Sequence, residues 1–310
     1  KYATRLTDKN AYSEASMELK PYFHKCLKTI AAIVVALPAQ AVDAAPPDDY
    51  SGKPLRPVTA AYTLEAGSSQ LVNTYLTPLR YNGIEAAFRY ERMQAMRFNP
   101  EKWVMRLTAS IKIDRTENPA KNAEMWRANA EATWGMTHRW KLPYNITLAA
   151  GGSVGANIGA IYNQRNGNNP VAVEAALTLN ITGYATWKTH IGRLPLTLRY
   201  QPTVPLTGIF FSPDYGELFY EIYLGNDKGL IHGAWWGNYF RMENLLTADL
   251  HLGATALRIG MAQDLLSTKV NNITTELVSW RAIVGISGEW LSIKPGKGLD
   301  KNARIISALY

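Results

Sequence analysis

Cysteine is almost missing from this chain: Cys26 is the single one in 310 residues. That excludes a disulfide framework and a thiolate metal site. Long apolar runs are missing as well. The longest, Ile30 to Leu37, is far short of the roughly 20 residues a membrane-crossing helix needs. A mean hydropathy of -0.17 argues against a helical membrane protein, yet it suits a membrane β-barrel, whose strands are half polar. No His/Cys/Asp/Glu spacing forms a metal motif, and His138, His190 and His232 read as turn or interface residues. Gly151-Gly152 and Gly155 precede no helix and so make no phosphate loop; small residues that let strands bend are the better account. The sequence therefore predicts no cofactor, no metal and no enzyme activity. The net charge of +8 comes with no nucleic-acid motif, so nucleic acid is not an expected partner.

What is abundant is alternation. From Val171 to Trp187 every odd-numbered residue is apolar or Gly, while Glu174, Thr178, Asn180, Thr182 and Thr186 stand between them. Alternate side chains of a strand point to opposite faces, so one face is oily throughout and the other is wet. The pattern recurs over 103–113, 126–136, 144–150, 194–200, 246–252 and 280–290. Strands this long, oily on one side, with aromatic ends, predict an all-β, antiparallel up-and-down transmembrane barrel. The aromatic girdle is assigned to Trp103, Trp126, Trp134, Trp187, Trp280 and Trp290, because aromatic rings favour the headgroup levels. Twelve strands are expected: 59–66, 83–96, 102–113, 122–138, 144–155, 170–187, 194–202, 217–224, 230–236, 240–252, 255–265 and 275–291. If 217–236 folds as an outer loop, the count is ten. Long outer loops are expected at 67–82, 114–121, 156–170 and 202–216.

The N-terminus reads as targeting sequence. Residues 1–16 are an upstream non-native segment and 17–41 a signal peptide, with Lys20, Lys25 and Lys28 before the apolar stretch and Ala39-Gln40-Ala41 after it. Loss of 1–41 removes six basic and three acidic residues, so the mature net charge becomes +8 - 3 = +5. Residues 42–58 are a proline-rich periplasmic lead-in, 59–292 the barrel and 293–310 a C-terminal tail. The expected location is the outer membrane of a Gram-negative bacterium. The expected partners are outer-membrane lipid and lipopolysaccharide and the outer-membrane barrel assembly machinery.

The wet face carries the candidates for function: Arg106, Lys112, Arg127, Glu131, Glu174, Arg199, Glu221, Glu243, Asp249, His251, Arg258, Arg281 and Glu289. Both signs are interspersed, which favours a salt-bridged filling of the barrel over a lined, porin-like pore or solute site. A channel or transporter is the first alternative. The second is an outer-membrane hydrolase using Asp249 and His251, two residues apart on one strand, as an oriented general base.

Three stretches carry a resemblance: Thr74 to Gly83, Phe211 to Gly216 and Tyr220-Glu221-Ile222-Tyr223. In these the chain resembles a family of Bacteroidetes outer-membrane barrels known only as a domain of unknown function, over residues 50 to 292. The resemblance implies an outer-membrane location and carries over no functional residue.

Overall fold

A computed structural model describes residues 54–225, 228–253, 255–291 and 304–309. The signal peptide, the upstream segment and the first part of the lead-in lie outside the described residues. So do 292–303 of the tail.

Eleven strands run in chain order: β1 (Val58–Asn73), β2 (Thr77–Ala95), β3 (Trp103–Glu117), β4 (Glu124–Leu142), β5 (Ile146–Asn163), β6 (Val171–Ile191), β7 (Leu194–Phe211), β8 (Ile231–Ala234), β9 (Tyr239–His251), β10 (Thr255–Val270) and β11 (Ile273–Trp290). A short helix, α1 (Phe219–Tyr223), lies between β7 and β8. Sequence neighbours other than β8 and β9 pair antiparallel, β1 pairs with β11, and β6 pairs with β7, so the sheet closes. β8 and β9 both pair with β7, over Phe211–Gly208 and Thr203–Leu196 respectively. They fill one column, interrupted by the turn 235–238. The barrel thus has ten strand positions, the lower of the two expected counts. The stretch 217–224, expected as a strand in the higher count, forms α1 instead: Glu221 caps it by accepting from the Leu218 amide at 3.0 Å.

A path of partners from Leu196 runs through Leu250, Leu257, Ile286, Tyr62, Tyr90, Ala109, Ala132, Ala156 and Leu177, and returns to β7 at Ile209. The displacement is 209 - 196 = 13 residues, one of them absorbed by the register shift opposite Leu179/Asn180. A shear of about twelve over ten strands gives a strand tilt of about 40° and a backbone radius of about 10 Å. That radius governs the interior, because two long side chains from opposite walls can meet across it.

The same geometry sets heights. Each step round the barrel climbs about 1.2 residues, so Trp103, Trp140, Trp187 and Trp290 fall within about 4 Å of one level. This level lies at the rim holding the chain's described N-terminal end. Above it the outward positions are mostly apolar up to Ile84, Ile113, Ile158 and Val278, a band about 30 Å tall. Leu64, Ile84, Ile158, Val284 and Ile286 are all more than half exposed, which only a hydrocarbon surrounding makes favourable. Beyond the band the outward side chains turn charged: Arg80, Arg115, Glu117, Glu124, Lys269 and Glu276. Trp126 stands among these, with the Arg115 guanidinium 5.7 Å from its ring centre. Trp280 lies near the upper edge of the band, and Trp134 about halfway up it. Trp140 joins the lower girdle, a role its place after the apolar run of β4 concealed.

The expected outer loops are mostly strand. β1 runs to Asn73, β2 starts at Thr77, β5 runs to Asn163 and β7 to Phe211. The polar residues that read as loop, such as Gln70, Arg80 and Asn82, are the outward face of strands that have left the bilayer. Their inward partners Ser69, Leu71 and Tyr81 stay buried. Among the described residues, the one long connection between strands lies between β7 and β8. The β10–β11 turn is two residues, Asn271 and Asn272, both with positive φ (52 and 59°), as a tight hairpin turn requires.

Candidate functional site: the barrel interior

Within the band the inward charges find each other. They form three layers stacked up the lumen. In the lowest, the Glu91 carboxylate on β2 accepts from Arg106 on β3 (2.7 Å), Arg199 on β7 (2.6 Å) and Arg258 on β10 (2.7 Å). β2 and β7 are diametrically opposite in a ten-strand ring, so the Arg199–Glu91 contact crosses the whole lumen. Arg258 also donates to both oxygens of Asp249 (2.6 and 2.7 Å).

The middle layer centres on Arg281 and Asp264. Arg281 donates to Glu65 (2.8 Å), Glu85 (2.6 Å), Asp264 (3.2 Å) and the Ser279 hydroxyl (2.8 Å). Arg89 spans from Glu65 (2.7 Å) to Glu243 (2.6 Å). Lys112 bonds Asp264 and reaches Glu131 at 3.4 Å, and Arg241 donates to Glu131 at 2.6 Å. Gly67 faces Arg281 across the β1–β11 ladder; a Cβ there would strike the Trp280 carbonyl, so the strand approach needs glycine. In the top layer Arg127 joins Asp114 (3.1 Å) and Glu174 (2.8 Å).

Apolar side chains close both ends. Towards the outer rim Leu71, Tyr75, Tyr81, Met125, Ile161 and Leu277 belong to one buried cluster. At the opposite mouth Met93, Val104, Ala149 and Tyr184 pack with Ala308 and Leu309 of the tail. Arg139 holds that tail by donating to the carbonyls of Ser307 (2.7 Å) and Ala308 (3.1 Å). A parallel bridge joins Leu55 to Ile305. A hollow of about 60 Å³ lies towards the outer rim beside Glu174, Phe210 and Tyr239, and one of about 10 Å³ lies beside Arg89, Glu91 and Arg258. Each has room for water.

Among the sequence candidates, Arg106, Glu131, Glu174, Arg199, Asp249, Arg258 and Arg281 all lie in this network. Glu289 stands at the tail-side mouth, where its carboxylate accepts from Thr59 at 3.1 Å and from Ser307. Glu221 is a correction: it is exposed on α1, outside the lumen, because Pro213 and Gly216 end the strand before it. Asp249 and His251 share a face as expected, but the carboxylate is engaged by Arg258, and His251 Nε2 meets the Thr197 hydroxyl at 2.9 Å. Sequence reading missed Glu65, Glu85, Arg89, Glu91, Arg241 and Asp264. The signal for four of them was present: Ile84, Ala86, Phe88 and Tyr90 face out, which turns Glu85, Arg89 and Glu91 in, and Leu64 does the same for Glu65.

The long connection is fastened at the outer rim. The Tyr75 hydroxyl donates to the Glu217 carbonyl at 2.6 Å, and Asn169 Nδ2 donates to that same carbonyl at 3.0 Å and to the Tyr75 oxygen. Burial, with Glu217 adding to it, pushes the Tyr75 phenol up to about 12, so it remains a donor at neutral pH. Its folded-state pKa lies above that of a free tyrosine, so this linkage contributes fully below about pH 10. It fades as pH rises through about 12. Tyr75→Phe is expected to increase proteolytic cutting within 212–230 severalfold, with the barrel left intact. Mass mapping of limited digests checks this; unchanged cutting would mean the bond does not fasten the connection.

Residues 29–297 match the model of a family described as a protein of unknown function, DUF3316. No curated protein matches the chain. Among solved structures, the chain is similar to the outer membrane protease OmpT from Escherichia coli (8% identity, 76% of this chain and 97% of that one, TM-score 0.40). It is also similar to the beta domain of the Bordetella autotransporter BrkA (7%, 76% and 100%, 0.38) and to the translocator domain of the autotransporter NalP from Neisseria meningitidis (10%, 85% and 96%, 0.35). Overlaps this loose assign no activity.

Proposed function

We propose that this protein, which belongs to the DUF3316 family, is a sealed barrel of the bacterial outer membrane that serves as a rigid scaffold for its outer rim. The observation that carries this is Glu91, held by three arginines from three other strands, one of them on the opposite wall. A solute pore needs a continuous wet path, and charge pairs crossing the lumen in the two lower layers take its place here. The outer location rests on strand architecture: a closed β-barrel with an outward apolar band is one of the two backbone forms that satisfy every peptide group in lipid. A Bacteroidetes source and export by a signal peptide go with that location. The outer rim, with 212–230 fastened over it, is the surface left for recognition, so the reading favours structural or surface-binding work over transport. A hydrolase working through Asp249 and His251 has less support, since Arg258 occupies both carboxylate oxygens.

Membrane fractionation followed by gel electrophoresis with and without boiling tests the location and the closed fold together. The reading expects the protein in the outer-membrane fraction and a compact form that shifts only on boiling. Recovery in the soluble fraction with no shift would overturn it.

A further inference from the structure

Within the apolar band the outward positions of the ten strand columns are apolar or uncharged, with one exception among the described residues: Arg92 on β2. Its neighbours across the two ladders are Ala60 on β1 and Leu107 on β3, neither of which accepts a hydrogen bond from a side chain. Arg92 is half-buried, and its Nε is buried with no hydrogen-bond partner. Two residues up the same face, Tyr90 stacks against Tyr62 at 5.1 Å between ring centres.

A polar trio in the band is arranged differently. Asn244 donates to Gln263 at 2.9 Å and accepts from Tyr200 at 2.8 Å, so these three outward side chains satisfy one another. A polar group facing hydrocarbon is costly unless paired, and a cation is costlier still. Arg92 has no such partner in its own protein, so its counter-charge must come from what surrounds the barrel. It lies about 10 Å above the tryptophan level at the rim carrying the chain's N-terminal side, within reach of that headgroup layer for a long side chain that bends towards the interface. The anion available at that depth is a phospholipid phosphate, which a guanidinium fork can bind through two parallel hydrogen bonds.

We propose that Arg92, flanked by the Tyr62–Tyr90 pair, is a binding site on the barrel wall for the phosphate of a membrane phospholipid in the periplasmic leaflet. The two tyrosine rings, inclined at 34° to one another, make an aromatic wall beside the cation, where the upper part of an acyl chain can lie while its phosphate meets the guanidinium. This rests on the membrane-barrel reading and goes beyond it by naming a lipid class and a residue.

The test uses the full chain, purified in a mild detergent and incubated with phosphatidylethanolamine, or with a phosphate-free galactosyl diacylglycerol, before native mass spectrometry. The expected result is retention of phosphatidylethanolamine by the parent, at least tenfold less retention by Arg92→Gln, partial recovery in Arg92→Lys, and little galactolipid on any of them. Arg80→Gln, whose charge lies above the band, should keep the parent's lipid. Heat-modifiability of each variant is read on the same samples, so loss of the barrel is distinguished from loss of the site. If Arg92→Gln fails to shift, Tyr90→Leu serves in its place and is expected to lower retention severalfold. Equal phosphatidylethanolamine on folded parent and folded Arg92→Gln would overturn the proposal, as would equal retention of the galactolipid.

Discussion

Glu91→Ala is expected to destabilise the barrel by about 3–5 kcal/mol, the usual cost of removing one partner from a buried ion cluster. The reason is asymmetric. The glutamate satisfies Arg106, Arg199 and Arg258 at 2.6–2.7 Å, and each of the four side chains is less than a tenth exposed. Without it three guanidiniums face one another, and no accessible pH discharges an arginine. Arg258 keeps Asp249, which softens the loss for one of them only. Urea titration of the folded, unboiled band in detergent measures the effect. A shift worth under about 1 kcal/mol, the range of solvated pairs, would mean that water fills the lumen around Glu91.

Arg281→Ala is expected to cost about as much, roughly 3–5 kcal/mol, for the mirror-image reason. It removes a partner from Glu65, Glu85 and Asp264, with Lys112, Arg241 and Arg89 left as the nearby cations. Carboxylates differ from guanidiniums in one respect that separates the two variants: a carboxylate can take up a proton and lose its charge. Lowering the pH from neutrality towards about 4.5 should therefore recover part of the loss in Arg281→Ala and none of it in Glu91→Ala. The same titration repeated at the two pH values checks this. Equal behaviour of the two variants would mean that the layers are not separate charge clusters.

How far the sequence alone reached depends on what alternation encodes. Period two separates the lipid face from the lumen face, so β3, β4 and β6 and most inward charges were legible from parity. Parity says nothing about height. The polar outward residues Gln70, Arg80 and Asn82 therefore read as loop, when they are strand that has risen above the lipid. The strand count was open for a related reason. The stretch 217–236 alternates weakly, and only the pairing of both β8 and β9 with β7 reduces two expected strands to one column. The lumen partners were illegible because they are long-range in sequence and set by shear: Arg199 meets Glu91 across 108 residues, and a shear changed by two residues would pair different charges. The role of the tail was hidden as well, since Ala308 and Leu309 read as an apolar end with no address until Arg139 and Tyr184 are in place.

Single-channel recording of the full-length protein in a planar bilayer tests the sealed lumen most directly. Correct insertion is verified beforehand by the boiling shift of the same preparation. The account predicts a flat trace, with no ion steps at any applied voltage the bilayer tolerates. Steady, reproducible ion steps from folded protein would contradict it, and would mean that the three charge layers part to leave a continuous aqueous path.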